Sequence, residues 1–311
     1  MSTKVCKSLA VSLIAVSAMI GAPAMAASTI NVAVAANFTG AMTALVAQFK
    51  LANPTYNVTF TADSSAVLLG QIQNKSAAYD LFLSADATRA NTLTTSAYTT
   101  SLGAPGACVP SATVGCGSGS PFLYSVGELE LWSPTLTTVT GGLPTTGANP
   151  PNPYVFNPSI VLADPTKAPY GFAAQTVLHY SPWSAPLTVT AGCKDPNTGA
   201  AASCLAQTPT LGIYEQGNIS LTYSAVKGGA YQSGFVAQSQ ICKANTSGVK
   251  TFSGYHHTYA YNDPTYPHGK INQWGITITS YATGTELLAF LNFLKSATGQ
   301  AIIKSYCYSL S

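Results

Sequence analysis

The alternation of apolar and polar residues predicts strands that run directly into helices. The first such junction lies in Ile30 to Met42, INVAVAANFTGAM, where strand-like alternation stops and helical spacing of apolar residues begins. The helical spacing continues to Phe49 and ends at Asn53-Pro54, because proline stops a helix. The first N–H groups of such a helix lack partners and lie at its positive end, which favours an anion. Helix capping alone would also account for Asn37 at this junction.

The same junction occurs twice more. The strand-like run 56–61 leads into Ala62-Asp63-Ser64-Ser65, after which residues 66–72 have a helical apolar face. A short apolar run at 159–163 leads into DPTKAPYG, which contains Tyr170, and residues 172–179 resume as a helix. Helix capping would again be a sufficient role for Ser64 and Ser65.

The rest of the chain continues this order. Strands are predicted at 79–86, 123–132, 234–236 and 271–279. Residues 211–215 and 217–220 are predicted to open a helix at 221–226, and a C-terminal helix is predicted at 284–306. Three segments with little apolar periodicity are predicted loops: 95–121, 181–208 and 243–269. We expect no binding role for the first of them. Alternating strands and helices indicate an α/β protein with parallel sheets.

The N-terminus has the features of a secretory signal. Lys4 and Lys7 precede an apolar run from Leu9 to Ile20, and the segment ends in Ala24-Met25-Ala26, an A-x-A cleavage site. Cys6 precedes the apolar run, so it is not placed like the lipid-bearing cysteine of a lipoprotein. We therefore expect residues 1–26 to be removed from an exported, soluble protein.

Composition narrows the function classes. Removing 26 of 311 residues leaves 285, which at about 150 residues per domain indicates about two domains. Charged residues make up 7% of the chain, against roughly 25% in ordinary soluble domains. Without the two lysines of the signal, 13 − 2 = 11 basic residues face 10 acidic ones. This balance gives no basic surface for nucleic acid.

The cysteines and histidines do not indicate a metal site. Six cysteines remain after the signal, an even number that in an exported chain favours three disulfides. Of the 15 possible pairings, proximity favours Cys108 with Cys116 and Cys193 with Cys204, leaving Cys242 with Cys307. The histidines lack ligand spacing and are predicted to lie at the surface or in packing; they are His179, His256, His257 and His268.

Four segments resemble the periplasmic molybdate-binding proteins of ABC transporters. They are AVAANFTGAMTALVAQF (33–49), ADSSAVLLGQI followed by YDLFLSAD (62–86), ADPTKAPYGFAAQTVL (163–178) and LLAFLNFLKSATGQAIIKSY (287–306). This resemblance implies the type II periplasmic binding protein fold, with two α/β lobes, each a mainly parallel sheet flanked by helices, and a ligand cleft between them. It places lobe I at 27–124 plus 272–311 and lobe II at 125–271.

The resemblance also implies a function and a set of contacts. The protein would be a monomer that captures a tetrahedral oxyanion in the periplasm, molybdate or tungstate and potentially sulfate, for the membrane permease of an ABC importer. It would be no enzyme and need no cofactor. The ligand contacts would be Ala36, Asn37, Ser64, Tyr170 and the backbone N–H of Ile219. Two positions depart from many family members, which have a ligand-binding tyrosine where this chain has Ala237 and a serine where it has Asn37.

Neutral donors suffice for such a ligand, because a tetrahedral oxyanion accepts hydrogen bonds in every direction. Lys167, the nearest cation to these junctions, is predicted to be solvated. Three alternatives stay open. A carrier of phosphate or a small organic anion could use Asp63 as acceptor for the ligand's proton. A secreted hydrolase could use Ser64 or Ser65 with His256 or His257, although no G-x-S-x-G motif is present. A structural or adhesive protein would suit the Ser, Thr and Gly content but not the α/β order.

Overall fold

The computed structural model describes residues 29–94, 121–142, 159–180, 185, 187–205, 212–278 and 285–310. The predicted signal and nearly all of the predicted loop 95–121 lie outside these residues. No helix within the described ranges is long and apolar enough to cross a membrane.

The described residues form fourteen strands and eight α-helices. The strands are β1 (Thr29–Ala35), β2 (Asn57–Asp63), β3 (Leu81–Ser84), β4 (Phe122–Gly127), β5 (Leu129–Ser133), β6 (Ile160–Ala163), β7 (Leu187–Lys194), β8 (Ala201–Leu205), β9 (Ile213–Gln216), β10 (Ser233–Ala237), β11 (Cys242–Ala244), β12 (Lys250–Phe252), β13 (Tyr255–Tyr259) and β14 (Ile271–Thr277). The helices are α1 (Thr39–Ala52), α2 (Ser65–Gln73), α3 (Ala87–Thr92), α4 (Pro169–His179), α5 (Ile219–Lys227), α6 (Gln238–Ile241), α7 (Thr285–Lys295) and α8 (Ala297–Ser305). Short 3₁₀ turns lie at Ala36–Phe38 and Thr137–Gly141.

Two five-stranded sheets form the two lobes. The first has the order β2-β1-β3-β14-β4 and the second the order β13-β5-β10-β6-β9. In the first sheet only β14 runs against the other four strands, and in the second only β5 does. The predicted fold of two lobes with mainly parallel sheets is therefore confirmed.

The chain passes between the sheets at two places. The first crossing is Glu128 alone, between β4 in the first sheet and β5 in the second, and the chain returns between Tyr259 and Ile271. The prediction of one strand over 123–132 is wrong, because a continuous strand-like pattern does not reveal that its two halves join different sheets. The predicted lobe boundaries lie beside these crossings and stay a prediction.

Each lobe has its own core. In the first, the Phe49 ring on α1 contacts Phe290 and Phe293 of α7 at centroid distances of 5.1 and 5.5 Å. In the second, α4 is buried along most of its length, and Tyr170, Ala174 and Val177 pack in one cluster with strands β5, β6 and β10. These cores hold the strand ends of both lobes at the cleft.

Three other predictions are corrected. Residues 181–208 are not all loop, since β7 and β8 pair as an antiparallel hairpin. Residues 243–269 contain β11, β12 and β13, and β13 is an edge strand of the second sheet. The C-terminal helix is two helices, because the Ser296 side chain accepts the Gly299 N–H at 3.1 Å and starts a new helix. Polar edge strands give a weak periodic signal, which accounts for the first two errors.

Two of the three predicted disulfides are confirmed, Cys193–Cys204 and Cys242–Cys307. The third predicted pair, Cys108 and Cys116, lies outside the described residues. His268 is buried, with Nε2 2.8 Å from the Tyr259 carbonyl oxygen. It is a packing histidine, as the sequence predicts.

Candidate functional site

The carboxyl ends of four parallel strands lie at the cleft between the lobes. Ala36 and Asn37 follow β1 and Ser64 follows β2, while Tyr170 lies in the helix after β6 and Ile219 begins the helix after β9. All five residues are buried. In open α/β sheets, ligands bind outside the carboxyl ends of the strands.

Direct contacts join the two lobes across this cleft. Ser220 Oγ donates to the Ala36 carbonyl at 2.9 Å, and Asn218 Nδ2 donates to Asp63 Oδ1 at 2.9 Å. The Ala66 N–H, at the start of α2, donates to the Lys167 carbonyl at 3.2 Å. These bonds bring the junctions of one lobe against those of the other, so the structure shows the lobes closed.

Ser64 occupies the N-cap position of helix α2, but its side chain makes no capping hydrogen bond. Its backbone N–H donates to Asp63 Oδ1 at 2.6 Å. Its Oγ is buried and has no hydrogen-bond partner among the described residues. By contrast, the neighbouring Ser65 Oγ accepts the Ala85 N–H at 3.0 Å. A buried hydroxyl without a partner carries a desolvation cost of about 1–3 kcal/mol, so Ser64 is suited to a ligand.

Tyr170 presents a second buried hydroxyl without a hydrogen-bond partner among the described residues. The hydroxyl lies against Gly127, where an added Cβ would come within 1.9 Å of it. Burial raises the pKa of Tyr170 well above its ordinary value, and Tyr308 and Glu128 raise the pKa further. The Asn37 amide lowers the pKa because it lies close to the hydroxyl, although the two groups are not in hydrogen-bond geometry. Tyr170 therefore keeps its proton and can act as a donor.

Asn37 differs from these two residues, because its side chain is already engaged. Asn37 Nδ2 donates to Gln273 Oε1 and to the Tyr308 hydroxyl, both at 2.8 Å. Its carbonyl oxygen accepts from Ser239 Oγ at 2.9 Å and from the Tyr308 hydroxyl at 2.9 Å. The amide hydrogens are thus used within the protein. The backbone N–H groups of the Ala36–Phe38 turn are the donors that a helix start leaves without intrahelical partners.

Sequence reasoning missed Gln273, Tyr308 and Ser239. A polar residue in the middle of a buried strand, such as Gln273 in INQWGIT, was an available signal. Ser239 offered another, since it follows the end of β10 at one more strand-to-helix junction. Tyr308 had no local signal, because it lies 271 positions from Asn37.

Ser125 is a fourth residue that the sequence did not indicate. Its Oγ is buried and has no hydrogen-bond partner among the described residues. Ser125 pairs with Gln273 in the ladder between β4 and β14, and Gly127 lies two positions further along β4. Directly paired residues and residues two apart share a sheet face, so Ser125 lies on the face where Gln273 and Tyr170 meet.

Two oppositely charged residues near the cleft, Lys167 and Asp164, pair with each other. The Lys167 side chain is 47% exposed. The pKa of Glu215 is raised to about 7, mainly by burial and also by Asp164, against the lowering effect of Lys167. The described residues contain no group of three or more His, Cys, Asp or Glu placed to hold a metal ion.

The hydrolase alternative gains no support from this geometry. A nucleophilic serine needs a base within hydrogen-bond reach. The Ser64 hydroxyl has no hydrogen-bond partner within the described ranges, and His256 Nδ1 lies 3.0 Å from Glu130 Oε2. His257 Nδ1 lies 3.2 Å from the Thr140 carbonyl oxygen.

Comparison with known proteins finds relatives that match along nearly the whole chain. The chain is 29% identical over 300 residues to the molybdate-binding protein ModA of Azotobacter vinelandii, covering 96% of each chain. It is 27% identical over 293 residues to ModA of Rhodobacter capsulatus, covering 91% of this chain and 89% of that one.

Solved structures show the same likeness. The periplasmic molybdate-binding protein of Azotobacter vinelandii matches with a TM-score of 0.64 at 25% identity, over 91% of this chain and 99% of the other. The substrate-binding domain of a putative molybdenum ABC transporter from Clostridium difficile matches with a TM-score of 0.51 at 16% identity, over 91% and 99%. The predicted resemblance to molybdate-binding proteins is confirmed. Residues 30–309 match the family model of bacterial extracellular solute-binding proteins, and the chain belongs to that family.

Proposed function

We propose that this protein captures a tetrahedral oxyanion, molybdate or tungstate, in the periplasm and delivers it to the permease of an ABC importer. Sulfate is the third candidate ligand. The observation that carries the proposal is a pair of buried hydroxyls, Ser64 Oγ and Tyr170 OH, that have no partner among the described residues. They come from opposite lobes, so a ligand that accepts from both would hold the cleft closed.

The chemistry of the donors favours a fully deprotonated dianion. Ser64 and Tyr170 supply hydroxyls, and the helix starts at Ala36 and Ile219 supply backbone N–H groups at positive dipole ends. Each of these groups is a donor toward the ligand, whereas a protonated anion such as hydrogen phosphate also needs an acceptor. Lys167 is engaged by Asp164, so recognition rests on neutral groups.

Asn37 contributes to this site mainly by holding neighbouring residues in place. Its side chain holds Gln273 and Tyr308, and its backbone belongs to the turn whose N–H groups face the ligand. Ser125 supplies a further hydroxyl, which donates either to the ligand, on the side of the chain crossings, or to a bound water. The ligand-binding set is therefore Ala36, Asn37, Ser64, Tyr170 and Ile219, with Ser125 added.

The relatives support the choice of ligand. Two proteins named for molybdate binding match along nearly the whole chain. A binding protein of an importer would meet its ligand outside the cytoplasmic membrane, which agrees with the predicted signal.

Native mass spectrometry of protein purified from periplasm would test the proposal, since a retained oxyanion is identified by its mass. Stripped protein should then be titrated with molybdate, tungstate, sulfate and phosphate in separate calorimetric experiments. We expect tight binding of molybdate and tungstate. At ligand about 100 times Kd, the free energy of unfolding should rise by roughly 2.7 kcal/mol. Binding of phosphate alone, or of none of the four anions, would overturn the proposal.

A further inference from the structure

The two lobes are joined covalently at a third place besides the two chain crossings. The Cys242–Cys307 disulfide connects the first residue of β11, just after α6 of the second lobe, with Cys307, which lies two positions after the end of α8 of the first lobe. Both cysteines are buried. By contrast, the Cys193–Cys204 disulfide lies within one hairpin.

The disulfide holds together two segments that each direct a hydroxyl at Asn37. Tyr308 directly follows Cys307, and its hydroxyl donates to the Asn37 carbonyl at 2.9 Å or to Ser239 Oγ at 3.0 Å. Ser239 lies three positions before Cys242, and its Oγ donates to the same carbonyl at 2.9 Å. The Asn37 backbone is therefore held by one residue from each side of the disulfide.

Further contacts fix Tyr308 itself. Cys307 has a φ of +63°, a left-handed conformation that is uncommon for residues other than glycine. Ser309 then forms backbone hydrogen bonds with Val126 at 2.9 and 3.1 Å, next to the first chain crossing. The Tyr308 ring packs on Phe38 at a centroid distance of 5.2 Å. These contacts hold Tyr308 beside the first chain crossing.

We propose that Tyr308 is a positioning residue for anion binding and that the Cys242–Cys307 disulfide anchors it. Together they hold the Ala36–Phe38 turn in its binding orientation and restrict the opening of the lobes. This inference rests on the proposed anion-binding function. Because ordering the site before binding raises affinity, loss of either element weakens binding without removing a ligand contact.

The first test is Tyr308→Phe in the oxidised full-length protein. The variant keeps the ring on Phe38 and loses only the hydroxyl. Its Kd for molybdate should rise roughly tenfold, as expected for a lost hydrogen bond that orients the site. Tyr124→Phe is the matched control, since Tyr124 also packs on Phe38, at 4.9 Å, but its hydroxyl contacts Ser84 rather than Asn37. An unchanged Kd in Tyr308→Phe, or an equal loss in both variants, would overturn the assignment.

The second test does not depend on a ligand. Amide hydrogen exchange of residues 36–42 and the radius of gyration in solution are compared for wild type, Cys242→Ser/Cys307→Ser and Cys193→Ser/Cys204→Ser. We expect faster exchange at 36–42 and a larger radius only when Cys242–Cys307 is removed. Equal exchange and radius in all three proteins would contradict the proposal.

These outcomes separate the inference from the proposed function. If no anion binds but exchange at 36–42 rises in Tyr308→Phe and in the disulfide variant, the proposed function fails and the positioning role holds. If molybdate binds and exchange stays unchanged, the positioning role fails alone. If the Cys242→Ser/Cys307→Ser variant does not fold, exchange and Kd of Tyr308→Phe decide the question.

Discussion

Gly127 lies directly against the hydroxyl of Tyr170, and an added Cβ at this position would come within 1.9 Å of that oxygen. The Tyr170 ring is fully buried in the core of the second lobe, so it cannot move aside as a flexible surface side chain could. Gly127 is the last residue of β4, just before the chain crosses between the lobes. The absence of a side chain at Gly127 thus leaves room for the Tyr170 hydroxyl, the donor from the second lobe.

Gly127→Ala should therefore displace the Tyr170 hydroxyl and weaken oxyanion binding. Loss of one hydrogen bond to a charged ligand corresponds to about 1.5–3 kcal/mol, so the Kd should rise at least about tenfold. Calorimetric titration with molybdate measures this change. Gly70→Ala is the control, because an added Cβ there meets nothing within 4 Å. Equal affinity in wild type and Gly127→Ala would show that the Tyr170 hydroxyl is not a ligand contact.

Removal of the donors themselves should have a similar effect. Ser64→Ala, Tyr170→Phe and Asn37→Ala should each weaken binding by about 10- to 150-fold, the first two by losing a donor and the third by releasing Tyr308 and Gln273. Lys167→Ala should change the Kd much less, since a partly exposed charge contributes about 0–1 kcal/mol. If Lys167→Ala abolished binding while Ser64→Ala and Tyr170→Phe bound normally, charge at another place would hold the anion.

Glu215 should make stability depend on pH. Burial raises its pKa from 4.5 to about 7, so the folded protein holds this proton more tightly than the unfolded chain does. The contribution of Glu215 to the free energy of unfolding is therefore greatest below about pH 4.5. It falls as the pH rises to about 7 and is constant above that.

Glu215→Gln removes this dependence. The free energy of unfolding of the variant should exceed that of wild type by roughly 1–2 kcal/mol at pH 8, after allowance for the partial exposure of Glu215. At pH 4.5 the difference should be much smaller. Urea unfolding at both pH values measures the gain. A gain of equal size at both would show that titration of Glu215 is not its cause.

The cysteines give a simpler chemical prediction. An exported chain meets an oxidising compartment, so all six cysteines of the mature protein should be oxidised. Alkylation under denaturing, non-reducing conditions should label none of them, and reduction should then expose six. Two labelled thiols without reduction would leave the pairs 193–204 and 242–307 intact and contradict only the predicted pair of Cys108 and Cys116.

The sequence by itself determined the strand-to-helix junctions of this protein. Each junction depends on neighbouring residues, because periodicity, caps and proline act over a few positions. Asn37, Ser64, Tyr170 and Ile219 were placed at helix starts in this way, although only the resemblance to a family singled out Ile219. The prediction of a single strand around Glu128 was wrong for the same reason, since local periodicity does not indicate which sheet a strand joins.

Only the tertiary structure decided how those junctions are held. Gln273 and Tyr308 contact the Asn37 side chain from 236 and 271 positions away, and Ser239 reaches its carbonyl from 202 positions away. No local pattern encodes such contacts, because they depend on which strands become neighbours and where the chain crosses between the sheets. The sequence therefore determined which groups could serve as donors. The packing of the two lobes decided which of these groups are already engaged. The Asn37 amide is bonded within the protein, whereas the Ser64 and Tyr170 hydroxyls have no partner among the described residues.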